Sequence, residues 1–333
     1  MLNRKLRAAE KQAYDLVEKK IKNKKYKCLY EGCKNSAIGS HSQQRNGPLR
    51  AISEKGKVYR LNDNLQKTLS VESGELEFHF SLKGIGESSI FTGFCETHEN
   101  IFSVFEDRYI EKGNNHQACA LFYRTFGYEK ARKRREHFRW TELQVKLGEI
   151  YPMRNLMRLT PVIQGFQNHI VNSCDYHLTK AREMLESSSF EGLRTEWLVF
   201  EKNLNVSCSS TVNLHLDNYI SYTYANPSKP IPSFTFNLIP SSSSTIVLFS
   251  WLKEFDAEAE WLVQSLTESE NIEILLNRLA FCDSEDTCVN PLLWESIENP
   301  QNVIENMKHV SDRGPLKESE IPRIIKISEF NRG

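Results

Sequence analysis

Two short segments, Cys28-Leu-Tyr-Glu-Gly-Cys33 and Cys95-Glu-Thr-His98, hold the residues of this chain whose types and spacing can do chemistry together. A Cys-x4-Cys pair on a turn and a Cys-x2-His pair at a helix start can close a tetrahedron around zinc, since each turn aims only two side chains at one point. Cys28, Cys33, Cys95 and His98 are therefore the expected ligands. A second set, Cys28, Cys33, His41 and Cys95, stays open, and it would leave His98 free. Cys282 and Cys288 have the spacing of a metal turn but no second pair nearby, and Cys119, Cys174 and Cys208 read as core thiols.

The elements that must position these residues follow from periodicity. Residues 3 to 22 repeat apolar or small positions at helical spacing (Leu6, Ala9, Ala13, Leu16, Val17, Ile21) and predict an amphipathic helix running into the basic stretch before Cys28. Between the two ligand pairs the chain is punctuated by Gly and Ser, with alternating pieces at 57–61 and 75–80, so an inserted loop or small sheet is expected. A helix over 99–111 should turn Ile101, Phe102, Phe105 and Tyr109 inward. A second, over about 117–146, carries the basic run 131–136. Tyr151-Pro152 is a plausible boundary, because a residue before proline is pushed out of the helical region. Beyond it come one long helix over about 156–185, strands near 195–201, 212–216, 233–238 and 245–250, and a helix over 257–279. The expected fold is α+β: a zinc-bound domain with basic helices over 1–150, and an α+β domain over 151–333 for specificity or regulation.

Cys-x4-Cys, a histidine eight residues later, and a final Cys-x2-His leading into a helix together resemble the zinc-braced HNH-type (His-Me finger) nucleases over residues 28 to about 110. The resemblance implies a treble-clef or ββα-like motif with a structural zinc. It implies that His41 is the general base, and that Glu99 and Asn100 sit where the family places its helix-borne orienting or Mg-binding residues. Ser40 stands where the family usually has Asp or His. A neutral imidazole can take a proton from water near neutral pH, and a Mg or Mn ion on an oxygen ligand would stabilise the charge developing on a phosphate. The expected activity is metal-dependent cleavage of nucleic acid, for example in bacterial defence. The alternative is a non-catalytic zinc-braced module that binds nucleic acid or protein.

Composition is compatible with either. The chain has 333 residues and 43 basic against 43 acidic side chains, but the charge is unevenly placed. Residues 1–150 hold 28 Lys or Arg against 19 Asp or Glu, or +9, and residues 151–333 hold 15 against 24, or −9. The basic half either attracts nucleic acid, with Gln43, Gln44, Arg45 and Arg50 suited to phosphate, or docks on the acidic half. The second half is left for a protein partner, and Tyr219, Tyr222 and Tyr224 either stack bases or line a core edge. His116, His137, His169 and His177 stand alone and read as structural. No segment is apolar enough to span a membrane, so a cytoplasmic protein without a membrane partner is expected.

Overall fold

The computed structural model describes residues 2–61, 80–106, 109–152, 157, 159–215, 222–223, 225–300, 303 and 317–327. Helix and sheet are mixed, as expected of an α+β chain. The spine is α4 (Asn115–Gly148), 34 residues and therefore about 50 Å long. Its start is capped by Asn114, whose side chain accepts from the Gln117 amide at 3.1 Å. From Gln117 to Glu129 every side chain is buried, as befits a helix enclosed on all sides. The C-terminal half is amphipathic and packs on α1 (Leu2–Asn23) and α5 (Leu159–His169).

One face of α4 lies on a seven-stranded antiparallel sheet, ordered β3-β2-β9-β6-β7-β8-β5. Its strands are β2 (Lys57–Leu61), β3 (Phe80–Gly84), β5 (Leu193–Phe200), β6 (Val206–Asn213), β7 (Ser233–Pro240), β8 (Thr245–Leu252) and β9 (Thr287–Val289). The sheet takes strands from both sides of the Tyr151-Pro152 step. β2 does not stay in a small sheet of its own but pairs with β9, Arg60 opposite Cys288. That pairing places the Arg60 guanidinium 3.2 Å from the fully buried Asp286 carboxylate. A separate two-stranded ladder joins β1 (Gly39–His41) to β4 (Ile90–Thr92), with His41 opposite Ile90.

Several elements differ from their sequence pattern. The helix near 99–111 begins earlier and ends sooner: α2 (Glu96–Glu99) runs through a 3-10 turn (Asn100–Phe102) into α3 (Ser103–Glu106). Phe102 and Phe105 are buried there, but Tyr109 is 91% exposed beyond the helix end. The long helix near 156–185 is α5, a π turn (Ile170–Asp175) and α6 (Tyr176–Ser187). The helix expected over 257–279 breaks into α7 (Glu260–Ser265) and α8 (Ser269–Arg278), because Glu268 is extended. β6 begins at Val206, six residues before its expected start; its Ser-rich sequence hides a strand buried on both faces. Of the strand expected at 75–80, only Phe80 lies within the described residues. No helix among them is long and apolar enough to cross a membrane.

Candidate metal centre and the histidine beside it

The ligand atoms of Cys28, Cys33, Cys95 and His98 all lie within 4.8 Å of one another. Cys95 Sγ is 3.2 Å from His98 Nδ1, Cys28 Sγ is 3.5 Å from the same nitrogen, and Cys33 Sγ is 3.9 Å from Cys95 Sγ. A tetrahedron with Zn–S near 2.3 Å and Zn–N near 2.0 Å has edges of roughly 3.8 Å and 3.6 Å. Three thiols and an imidazole at these separations can hold a metal ion, and the donor set suits zinc. Burial pushes the Cys28 thiol up to about 11. Burial also opposes ionisation of Cys95, but hydrogen bonds from His98, Cys28 and Asn35 override it and bring that thiol down to about 6.

Backbone hydrogen bonds shape this cluster before any metal acts. The first pair sits on a tight hairpin: the Cys28 amide donates to Asn35 O (3.0 Å), the Cys33 amide donates to Tyr30 O (3.1 Å), and Lys27 bridges Ser36. Gly32 turns the knuckle with φ +77°, a conformation that L side chains rarely adopt. Leu29 N to Gly93 O (2.8 Å) and Ile38 N to Phe94 O (2.7 Å) tie the knuckle to the second pair. Cys95 precedes α2, so His98 arrives one turn later on the same side. Tyr30 stacks flat on the His98 ring at 3.9 Å, and its hydroxyl donates to Glu186 of α6. Sequence reasoning missed Tyr30, although its place inside the Cys-x4-Cys turn is a usable signal.

His41 is not in the metal cluster. Its Nδ1 lies 2.9 Å from the Ser88 carbonyl, which only accepts, so Nδ1 carries the proton and Nε2 holds the lone pair. Nε2 has no hydrogen-bond partner among the described residues, and the residue is half-buried. Burial lowers the His41 pKa, Arg124 and Arg45 lower it further, and the Ser88 carbonyl opposes them. The imidazole is therefore neutral at pH 7.

The helix-borne candidates divide. Ser40 donates its hydroxyl to Glu99 Oε1, while Asn100 is exposed and makes no side-chain hydrogen bond to His41. One further residue enters through the fold. Arg124 of α4, 2% exposed, reaches Glu106 Oε1 at 2.6 Å and lies 4.0 Å from Glu99 Oε2. Its guanidinium stands against both carboxylates. The Cys/His set is the only cluster of three or more ligands among the described residues.

The remaining candidates have structural settings. Gln43 is buried and donates to Asp286 O (2.6 Å), and Gln44 donates to Glu106 O (2.7 Å), so neither is presented to a phosphate; Arg45 and Arg50 are exposed. Cys119, Cys174, Cys208, Cys282 and Cys288 are buried free thiols. Tyr222 donates to Pro230 O and stacks on His215, whereas Tyr219 and Tyr224 lie outside the described residues. Basic and acidic halves meet in ion pairs: Arg60–Asp286, Arg132–Glu285, Lys130–Asp175 and Glu31–Arg182. Compared with protein-family models, curated proteins and solved structures, the chain returns no match.

Proposed function

We propose that this chain is a zinc-braced endonuclease of the HNH type, cleaving phosphodiester bonds in nucleic acid with His41 as general base and the zinc in a structural role. The reading takes β1, β4 and α2 as the two strands and helix of a ββα motif, and the Cys28–Cys33 hairpin as its treble-clef knuckle. His41 carries the proposal. It lies on the first strand, one residue after the Ser40 that donates to the helix-borne Glu99, with Nδ1 held by the Ser88 carbonyl and Nε2 left as a neutral acceptor.

In this mechanism Nε2 takes a proton from a water that attacks the phosphorus, and the Ser88 contact holds the ring in the tautomer that permits it. Ser40 orients Glu99, and Arg124 holds Glu106. Glu99, with the neighbouring Asn100, would hold a Mg or Mn ion; when bound, that ion supplies charge stabilisation at the phosphate and the leaving oxygen. The position of Arg124 against Glu99 and Glu106 favours a second reading, a non-catalytic zinc-braced module that binds nucleic acid or protein, because a guanidinium already answers those carboxylates.

His41→Ala and His98→Ala separate the readings. The nuclease reading expects His41→Ala to keep zinc and melting temperature and to lose Mg- or Mn-dependent cleavage by about two to four orders of magnitude, the usual contribution of a positioned base. His98→Ala should lose zinc. Wild-type protein that cleaves neither DNA nor RNA with any divalent metal would leave the binding module as the reading.

A further inference from the structure

The basic run 131–136 has a second use. Tyr128, Arg132 and Arg135 are spaced i, i+4 and i+7, so they share one face of α4. That face looks across a cavity of about 250 Å3 to Arg60 of β2 and to the β4 strand. Three guanidiniums and no carboxylate line the cavity among the described residues.

The acidic partners hold these arginines from outside the cavity. Arg60 Nη2 bonds Asp286 Oδ1 (3.2 Å) and the Tyr128 hydroxyl (3.1 Å). Arg132 is gripped by Glu285, with Glu129 3.6 Å away, and its guanidinium lies over the Tyr128 ring. Arg135 Nε lies 3.8 Å from Glu136, which also bonds Arg139. Carboxylates behind a guanidinium fix its rotamer, so less ordering entropy is lost when an anion arrives in front. Tyr26 adds a buried hydroxyl without a hydrogen-bond partner.

The place of the cavity matters as much as its charge. Ile90 lines it, and Ile90 is the register partner of His41 across the β1–β4 ladder. The cavity therefore borders the strand that pairs with the strand bearing His41. Arg132 and Arg135 also belong to a helix anchored in the core, which keeps their spacing constant.

We propose that Arg60, Arg132, Arg135 and the Tyr26 hydroxyl form a phosphate-binding subsite that grips a phosphodiester of a nucleic-acid strand. The proposal rests on the nuclease reading for the choice of nucleic acid as ligand, though the subsite itself can bind whether or not cleavage occurs. Guanidinium forks suit the two non-bridging oxygens of a phosphodiester. Asp286 and Glu285, on the far side, are the only link required between the subsite and the C-terminal strands.

The test uses the full chain carrying His41→Ala, a fluorescein-labelled 12-nucleotide single strand in DNA and RNA forms, and anisotropy across a salt series. Arg135→Glu should weaken binding at least tenfold and reduce the log–log salt slope by about one, the mark of one lost phosphate contact. Tyr26→Phe should weaken it severalfold at unchanged melting temperature. Lys229→Glu, the same charge change in an exposed loop of the acidic half, should stay within twofold. Equal losses for Arg135→Glu and Lys229→Glu, or none for Arg135→Glu, would overturn the subsite even if wild-type protein cleaves. The expected losses in a wild-type chain that cleaves nothing would support the subsite and overturn the nuclease reading.

Discussion

At the scale of single residues, what a histidine does here depends on which atom its ring nitrogen meets. His98 meets two sulfurs, His41 a carbonyl, and His177 the core. His177 is fully buried, stacks on Phe126 at 4.3 Å and donates Nδ1–H to Ser173 O at 2.7 Å. Burial is the main cause that lowers its pKa, to about 4. The sign follows directly. Above the unfolded value near 6.5 both states are neutral and stability is complete. Below it the unfolded chain takes up a proton that the folded chain refuses, so stability falls until pH reaches about 4. The full loss is about 3 kcal/mol at one proton per molecule. Urea midpoints should therefore drop between pH 6.5 and 5, where carboxylates are still ionised, and His177→Gln should flatten that slope; an equal slope in the variant would remove His177 as its source. On the nuclease reading the lowered pKa of His41 would show in activity: the base would be neutral above its own value, so cleavage should hold level from pH 8 down to about 6.5 and decline only below. A rate already halved at pH 7 would contradict a depressed His41.

At the scale of elements, α4 and the metal-binding loop share one tight contact. A Cβ at Gly127 would come within 2.6 Å of the Phe94 ring, next to Cys95. Phe94 is fully buried among Phe102, Tyr123 and Phe91 and has no room to yield. Gly127→Ala gains about 1 kcal/mol in helix propensity, but overpacking costs about 1–3 kcal/mol. We expect a net fall in melting temperature and faster zinc loss to a chromophoric chelator; a rise in melting temperature would show that the Phe94 ring moves aside freely. Zinc removal should have a larger effect. The knuckle between Cys28 and Cys33 encloses almost no core of its own, so a bound metal would be a main source of its folding energy. Elemental analysis should find about one zinc per chain, and Cys95→Ser should expose residues 24–61 to protease; unchanged resistance would refute the ligand assignment.

At the scale of the molecule, the Arg60–Asp286 pair joins residues 226 positions apart in a buried setting, with side-chain exposures of 9% and 0%. Ser42 also donates to the same carboxylate. Removing one member of such a pair leaves a buried charge unanswered, at a cost of about 3–5 kcal/mol. Asp286→Ala should therefore unfold at markedly lower urea. Because β2 and β9 share a sheet, fluorescence and circular dichroism should report one transition. Two separated transitions, with only the later residues affected, would mean that the two ends of the chain fold independently.

Much of the metal site was legible because its information is local. Four ligands in two short spacings identify a cluster without any knowledge of the sheet, and helices such as α4 follow from a 3.6-residue period within one segment. The α+β mixture was legible for the same reason. Tertiary structure alone decided the rest. Which histidine joins the thiols depends on where β1 lies relative to α2, and that is set by ladder pairing with β4. Arg124 and Glu106 meet because α4 packs against α3, and nothing in their sequence neighbourhoods marks the contact. β2 leaves the zinc loop for β9 because a buried arginine must find a buried carboxylate, and Asp286 lies far along the chain. Local periodicity encodes which residues form an element; long-range burial and charge compensation decide which elements meet.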